Sequence, residues 1–181
     1  MKVEPSALAG VLLLEPKVFG DARGHFYESY NRRTFAQATG LDVEFVQDNQ
    51  SRSSRNVLRG LHYQLRQPQG KLVRVTAGEI WDVAVDLRRG SATFGRWTAF
   101  TLNAESRRML WVPAGFAHGF LAVSEQAEVQ YKTTGYYAPE HERTLLWNDP
   151  ALAIAWPLSG EPVMTDKDRR GRPLATADTF D

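Results

Sequence analysis

Cysteine is absent from this 181-residue chain. Its absence excludes disulfides, a thiolate nucleophile and every thiolate metal site, and it suits a reducing compartment. Long apolar runs are absent too. The stretch from Ala7 to Leu14 falls far short of the roughly 20 residues that span a bilayer. It follows Glu4 and Pro5 rather than a basic flank, and no small-residue cleavage site succeeds it. A soluble, cytoplasmic protein with no membrane association is expected. Nor is there an excess of charge of either sign. The 22 basic and 21 acidic residues leave a formal net charge of +1, whereas proteins that neutralise nucleic-acid phosphates are usually strongly basic. Nucleic acid is therefore not an expected partner. Internal repeats, low-complexity tracts and linker-like stretches are missing as well, and a single domain over 1–181 is expected.

What is present is apolar and aromatic. Hydrophobic residues make up 43% of the chain and aromatics 11%, enough to build a packed core. Short β-branched or aromatic runs alternate with Gly, Pro, Asn and Asp, the punctuation of an all-β protein. Strands are expected at Val11–Leu14, Gly24–Tyr30, Glu44–Asp48, Val57–Gln64 and Lys71–Ala77. Others are expected at Ile80–Leu87, Trp97–Leu102, Arg108–Val112, Gly119–Val123 and Ala127–Thr133. One helix is expected over Arg32–Thr39, capped by Asn31 and closed by Gly40. A second helical turn is expected to open at Asp149, with Pro150 at its first position.

Strand parity adds one clue. From Trp81 to Leu87 every odd position is apolar, while the even ones include Asp82 and Asp86. One face packs and the other is polar, either as a solvated outer surface or as the lining of a barrel interior.

Among the four histidines, His62 lies in Arg59-Gly60-Leu61-His62-Tyr63-Gln64, and His118 follows the turn Pro113-Ala114-Gly115. The Pro-x-Gly-x-x-His spacing resembles the second half-motif of the cupins, whose jelly-roll barrels hold ligands inside. Metal-binding cupins carry His-x-His in the first half-motif. Here that strand reads His62-Tyr63-Gln64, and two histidines fall short of a usual ligand set. The chain thus resembles a cupin without its metal.

A fuller set of motifs runs from about Val11 to Asp168. It comprises Phe19-Gly20-Asp21-Ala22-Arg23-Gly24-His25-Phe26-Tyr27-Glu28, Phe45-Val46-Gln47-Asp48-Asn49, the Leu58–Gln64 segment and Gln69-Gly70-Lys71. Farther along come Pro113–Phe120, Tyr131 with Tyr137, and Thr165-Asp166-Lys167-Asp168. In that order and spacing the chain resembles the dTDP-4-dehydrorhamnose 3,5-epimerase family. The resemblance implies a cupin-type double-stranded β-helix, with a few short helices, that uses neither metal nor organic cofactor. It implies inversion of C3 and C5 of dTDP-4-dehydro-6-deoxy-D-glucose, beside the 4-keto group. A mono-epimerase or ketoisomerase acting on a related sugar nucleotide is the alternative on the same scaffold.

Residue by residue, the resemblance makes His62 the base and Asp168 its carboxylate partner. An imidazole titrates near neutrality and can take and return a proton at working pH. Lys71 matches the cation that stabilises the enolate oxygen. His118, oriented by Asp82, is a second polar contact. Tyr131 matches the proton donor on the opposite face. Arg23, Arg59 and Lys167 would grip the diphosphate, and Gln47, Asn49 and Glu28 would bond the sugar or base. Tyr137 would stack on thymine, while Phe26 and Glu142 fall at further substrate-contact positions. Family members are homodimers that exchange N-terminal segments, so Phe19–Glu28 would complete the neighbouring subunit's site. One conflict stands: Arg59 and His62 differ by an odd number and face opposite sides of a regular strand. A bulge at Gly60 would re-aim the arginine. The other route takes Arg59 around the strand end.

Two readings from other classes compete. A metal-dependent cupin enzyme would need the missing histidine. A sugar-nucleotide binding module would have no use for His62, Lys71, Tyr131 and Asp168 together.

Overall fold

The computed structural model describes all 181 residues. In chain order its strands are β1 (Lys2–Pro5), β2 (Leu12–Glu15), β3 (Val18–Asp21), β4 (Gly24–Tyr27), β5 (Gln47–Ser54) and β6 (Leu58–Gln64). There follow β7 (Lys71–Ala77), β8 (Glu79–Asp86), β9 (Trp97–Asn103), β10 (Met109–Val112), β11 (Phe116–Ala122), β12 (Gln126–Thr133) and β13 (Glu142–Thr144). The two α-helices are α1 (Arg32–Thr39) and α2 (Asp166–Arg169). No helix is long and apolar enough to cross a membrane.

Two antiparallel sheets face each other, in the orders β1-β2-β10-β7-β12-β5 and β13-β6-β11-β8-β9, with β3 and β4 as a separate hairpin. Most neighbours in a sheet are distant in sequence, as in a jelly roll, and the expected all-β cupin architecture is the one observed. Fifteen buried residues, among them Val73, Ala84, Leu110, Phe120 and Val129, fill the space between the sheets. The alternation on β8 is now explained. Its even residues point into that interior, where Asp82 and Asp86 are fully buried. The odd residues Val83 and Val85 pack outward against Leu152, Ile154, Trp156 and Ala177 of the C-terminal region. Both faces are covered, so the solvated-surface account does not apply and the polar residues of β8 face the barrel interior.

Helix α1 spans the expected residues. Asn31 caps it through a bond from the Thr34 amide, and Gly40 closes it at φ 73°. Its buried Phe35 packs on Trp111 and Leu72, covering the outside of the six-stranded sheet. Asp149 does cap a turn, accepting from the Ala151 amide at 2.9 Å. The turn stops after one cycle, at Ala153 with φ 49°, and no helix forms.

Asp86 organises the loop between β8 and β9. It accepts from the Arg88 guanidinium and amide, from Ser91 Oγ at 2.6 Å and from Thr93 Oγ1 at 2.7 Å. Arg88 in turn lies 4.5 Å over the Phe116 ring and donates to the Ala9 carbonyl. Burial by itself would raise the Asp86 pKa, but the bonds from Arg88, Ser91 and Thr93 outweigh it and hold the carboxyl well below its ordinary range. A depressed folded pKa contributes stability above the unfolded value near 4, and that stability is lost as pH falls through the folded value. Asp86→Ala should therefore cost about 3–5 kcal/mol in chemical denaturation, because it leaves Arg88 without its counter-ion and strands two hydroxyls. The gap between variant and wild type should narrow below about pH 4. An unchanged denaturation midpoint would contradict this.

Candidate active site

A cavity of about 400 Å³ opens between the two sheets, within the size range of small-molecule sites. The cross-strand pair of His62 on β6 and His118 on β11 sits in its wall. Opposite, β7 presents Lys71 and β12 presents Tyr131. The short helix α2 supplies Asp168 and Lys167, and β13 supplies Glu142.

The conflict between Arg59 and His62 is settled by a bulge. His118 pairs with His62 and Phe120 with Arg59, so three steps along β6 answer two along β11. The extra residue turns Arg59 to the same side as His62, and both line the cavity. Gly60 makes this possible. It holds φ at 114°, and a Cβ there would lie 2.6 Å from the Gly119 Cα. Only glycine tolerates that backbone and that approach.

Each histidine faces its own carboxylate. His62 Nε2 lies 2.6 Å from Asp168 Oδ1. The Asp168 side chain is 4% exposed and that of His62 27%, which leaves one face of the imidazole open to a ligand. Burial alone would raise the Asp168 pKa, but His62, the Thr165 hydroxyl and the Gly60 amide hold it below the usual carboxylate range. It is therefore an anion at neutral pH, able to fix the ring tautomer and to stabilise an imidazolium. Deeper in, His118 Nε2 sits 2.9 Å from Asp82 Oδ1, both side chains being almost wholly enclosed.

Lys71 is 9% exposed and forms no ion pair. Its Nζ donates only to the His62 carbonyl, at 3.3 Å. Burial pushes its pKa down to about 8, against the pull of Glu142 and Asp82. Such an ammonium is poorly solvated and free to meet a developing negative charge. Tyr131 is half-buried, and burial, with a contribution from Glu142, raises its pKa against Arg59 and Lys167. It remains a phenol with a proton to give.

At the mouth, Glu142 Oε2 accepts from Tyr137 Oη at 3.0 Å and from Lys167 Nζ at 2.8 Å. Gln47 donates to Asn49 Oδ1 and accepts the Tyr137 amide. Eleven of the fourteen residues singled out from the sequence thus converge on one cavity: the three that do not are Arg23, Phe26 and Glu28. Those lie on or beside the β3–β4 hairpin. Arg23 pairs with Asp21, Glu28 bonds Asn31, and Phe26 is 67% exposed.

The cavity is also lined by residues to which the sequence reading gave no role, among them Ser51, Gln64, Gln69 and Thr165. Thr165 was findable, because Thr-x-x-Asp is a helix-start signature and its Oγ1 accepts the Asp168 amide. Ser51 follows Gln47 and Asn49 at a period of two, once the strand is known to continue past Asp48.

The family profile described as dTDP-4-dehydrorhamnose 3,5-epimerase matches residues 5–176. The dTDP-4-dehydrorhamnose 3,5-epimerase of Pseudomonas aeruginosa is 61% identical over 180 residues, covering 99% of each chain. That of Salmonella typhimurium is 56% identical over 169 residues, covering 93% of this chain and 92% of the relative. The crystal structure of dTDP-6-deoxy-D-glucose-3,5-epimerase from Legionella pneumophila, in complex with dTDP-4-keto-L-rhamnose, superposes with a TM-score of 0.95 at 47% identity. It spans 98% of this chain and 94% of that one. A jelly roll with a histidine–carboxylate pair, a buried lysine and a phenol around one cavity, matched over nearly its whole length by these relatives, belongs to the dTDP-4-dehydrorhamnose 3,5-epimerase family.

Proposed function

We propose that this chain is an isomerase that inverts C3 and C5 of dTDP-4-dehydro-6-deoxy-D-glucose, giving dTDP-4-dehydro-L-rhamnose. The observation that carries the reading is the 2.6 Å contact between His62 and a buried, ionised Asp168, in one cavity with Lys71 and Tyr131. His62 removes the proton beside the ketone, and Asp168 holds its ring and balances the imidazolium. General-base catalysis contributes about 3–5 kcal/mol, too little for so weak a carbon acid. Lys71 and His118 supply the rest at the enolate oxygen, where a placed donor adds roughly 3–4 kcal/mol. Tyr131 returns a proton to the opposite face. Arg59 and Lys167 hold the diphosphate, Gln47, Asn49 and Glu142 bond the sugar or nucleoside, and Tyr137 stacks on the base. The chemistry needs no metal or organic cofactor, and His62, Lys71, Tyr131 and Asp168 sit in a single domain of a cytoplasmic protein.

The exposed aromatic faces of Phe19 and Phe26, 52% and 67% exposed, support a homodimer. In it the β3–β4 hairpin brings Arg23, Phe26 and Glu28 to the neighbouring subunit's cavity. Sedimentation as a single-chain species would rule that out.

Incubation of the 4-keto sugar nucleotide in D₂O, followed by NMR, tests the activity. Deuterium should enter C3 and C5 with inversion at both. Label at one carbon only would mark a mono-epimerase, and no label would defeat the reading.

Lys71 sets a pH limit. Its ammonium is needed to meet the enolate, so kcat/KM should fall along an alkaline limb centred near pH 8, the value to which burial brings it. Below that pH the lysine is charged and no longer limits the rate. A profile flat to pH 9.5 or so would remove Lys71 from this role.

A further inference from the structure

Alternate residues of β5 form a polar row, Gln47, Asn49, Ser51 and Ser53, and the first three line the cavity. Three of them are bonded within the protein. Gln47 and Asn49 join to each other, and Gln47 also takes the Tyr137 amide. Ser53 accepts from Arg59 Nε at 3.0 Å. Ser51 is the exception. It lines the cavity, yet its Oγ is closed off from solvent and has no hydrogen-bond partner. Orphaned buried hydroxyls are rare, since each costs the desolvation of a group that water would otherwise satisfy. The molecule keeps one in the wall of its functional cavity.

Its neighbour says what could bond there. Arg59 is tied by Nε to Ser53 and by Nη2 to the Arg52 carbonyl, while Nη1 has no protein partner. The guanidinium keeps a free N–H, and Ser51 carries an unbonded hydroxyl two positions along β5 from the serine that Arg59 bonds; together they match an oxygen that carries negative charge. A staggered step about χ1 brings the serine Oγ toward the cavity, and rotation about the Cβ–Oγ bond aims its proton. We propose that Ser51 is a further substrate-binding residue, its hydroxyl donating to a non-bridging oxygen of the diphosphate that Arg59 holds. This rests on the nucleotide-sugar reading above. The hydroxyl finds its partner only in the complex, so the cost carried by the free protein is recovered on binding.

The test is calorimetric titration of wild type and Ser51→Ala with dTDP and, separately, with thymidine, together with thermal melts of both free proteins. A hydrogen bond to a charged oxygen predicts a loss of about tenfold in dTDP affinity. Thymidine affinity should be unchanged, and KM for the sugar nucleotide should rise with kcat close to wild type. The Tm of the free variant should equal or exceed that of wild type, since the lost hydroxyl bonded nothing. Unchanged dTDP affinity would overturn the proposal. So would a lower Tm, which reveals a structural bond, or an equal loss for thymidine, which places the contact on the nucleoside. Failure of the wild type to bind dTDP would instead strike the nucleotide-sugar reading itself.

Discussion

His62→Ala is expected to leave C3 and C5 of the keto sugar almost free of deuterium after incubation in D₂O, with exchange down by at least about 10³-fold. The variant removes the one imidazole in the cavity that is both partly open to ligand, at 27% side-chain exposure, and backed by a carboxylate. His118 cannot take over, because its side chain is only 9% exposed. Asp168→Ala should produce a smaller loss, still of orders of magnitude, since the base survives without its tautomer and orientation fixed. Binding of dTDP should persist in both variants, because neither residue is assigned to the diphosphate. Near-normal exchange in His62→Ala would take this histidine out of the mechanism.

Tyr131→Phe should separate two events that the wild type couples. Inversion requires a proton to leave one face of a carbon and another to arrive on the opposite face. With His62 on one side and Tyr131 on the other, the phenylalanine keeps the ring that packs against the interior apolar cluster and deletes only the phenol. His62 still removes a proton, and the enolate still collapses by taking one back. Label should therefore wash into the starting sugar with its configuration retained, while inverted products fall by roughly 10²-fold or more. Burial keeps the Tyr131 proton in place at neutral pH, which is why its loss should be felt across the working range. Inversion of both carbons at the wild-type rate would mean that the proton donor lies elsewhere.

Some elements of the fold were legible because local physics decides them. Asn31 and Gly40 bracket α1 through a capping bond and a left-handed residue, both local to a few neighbours. The alternation on β8 follows from side chains pointing to opposite faces of a strand. By contrast β5 begins at Gln47, not Glu44, and runs to Ser54. Its cavity-facing residues are polar because they line a cavity, so the apolar period that marks a strand never develops. The strands β1, β3 and β13 escaped for a different reason. With three or four residues each, they hold too little pattern to read, and β1 and β13 are defined by the partners they pair with.

The candidate site divides along the same line. Strand punctuation pointed to an all-β protein, and motif order, through the family resemblance it carries, named eleven of the eighteen residues that line the cavity. What they could not determine was juxtaposition. His62 and Asp168 are 106 positions apart, and nothing local brings a strand histidine to a helix near the C-terminus. Arg59 and His62 carry opposite parity, and only the close passage of Gly60 over Gly119 inserts the bulge that aims both inward. Burial of Lys71, which lowers its pKa to about 8, likewise depends on the sheets closing over it. Side-chain chemistry is a property of the residue, whereas distance, desolvation and facing direction belong to the packed sheets, and only the tertiary structure decided those.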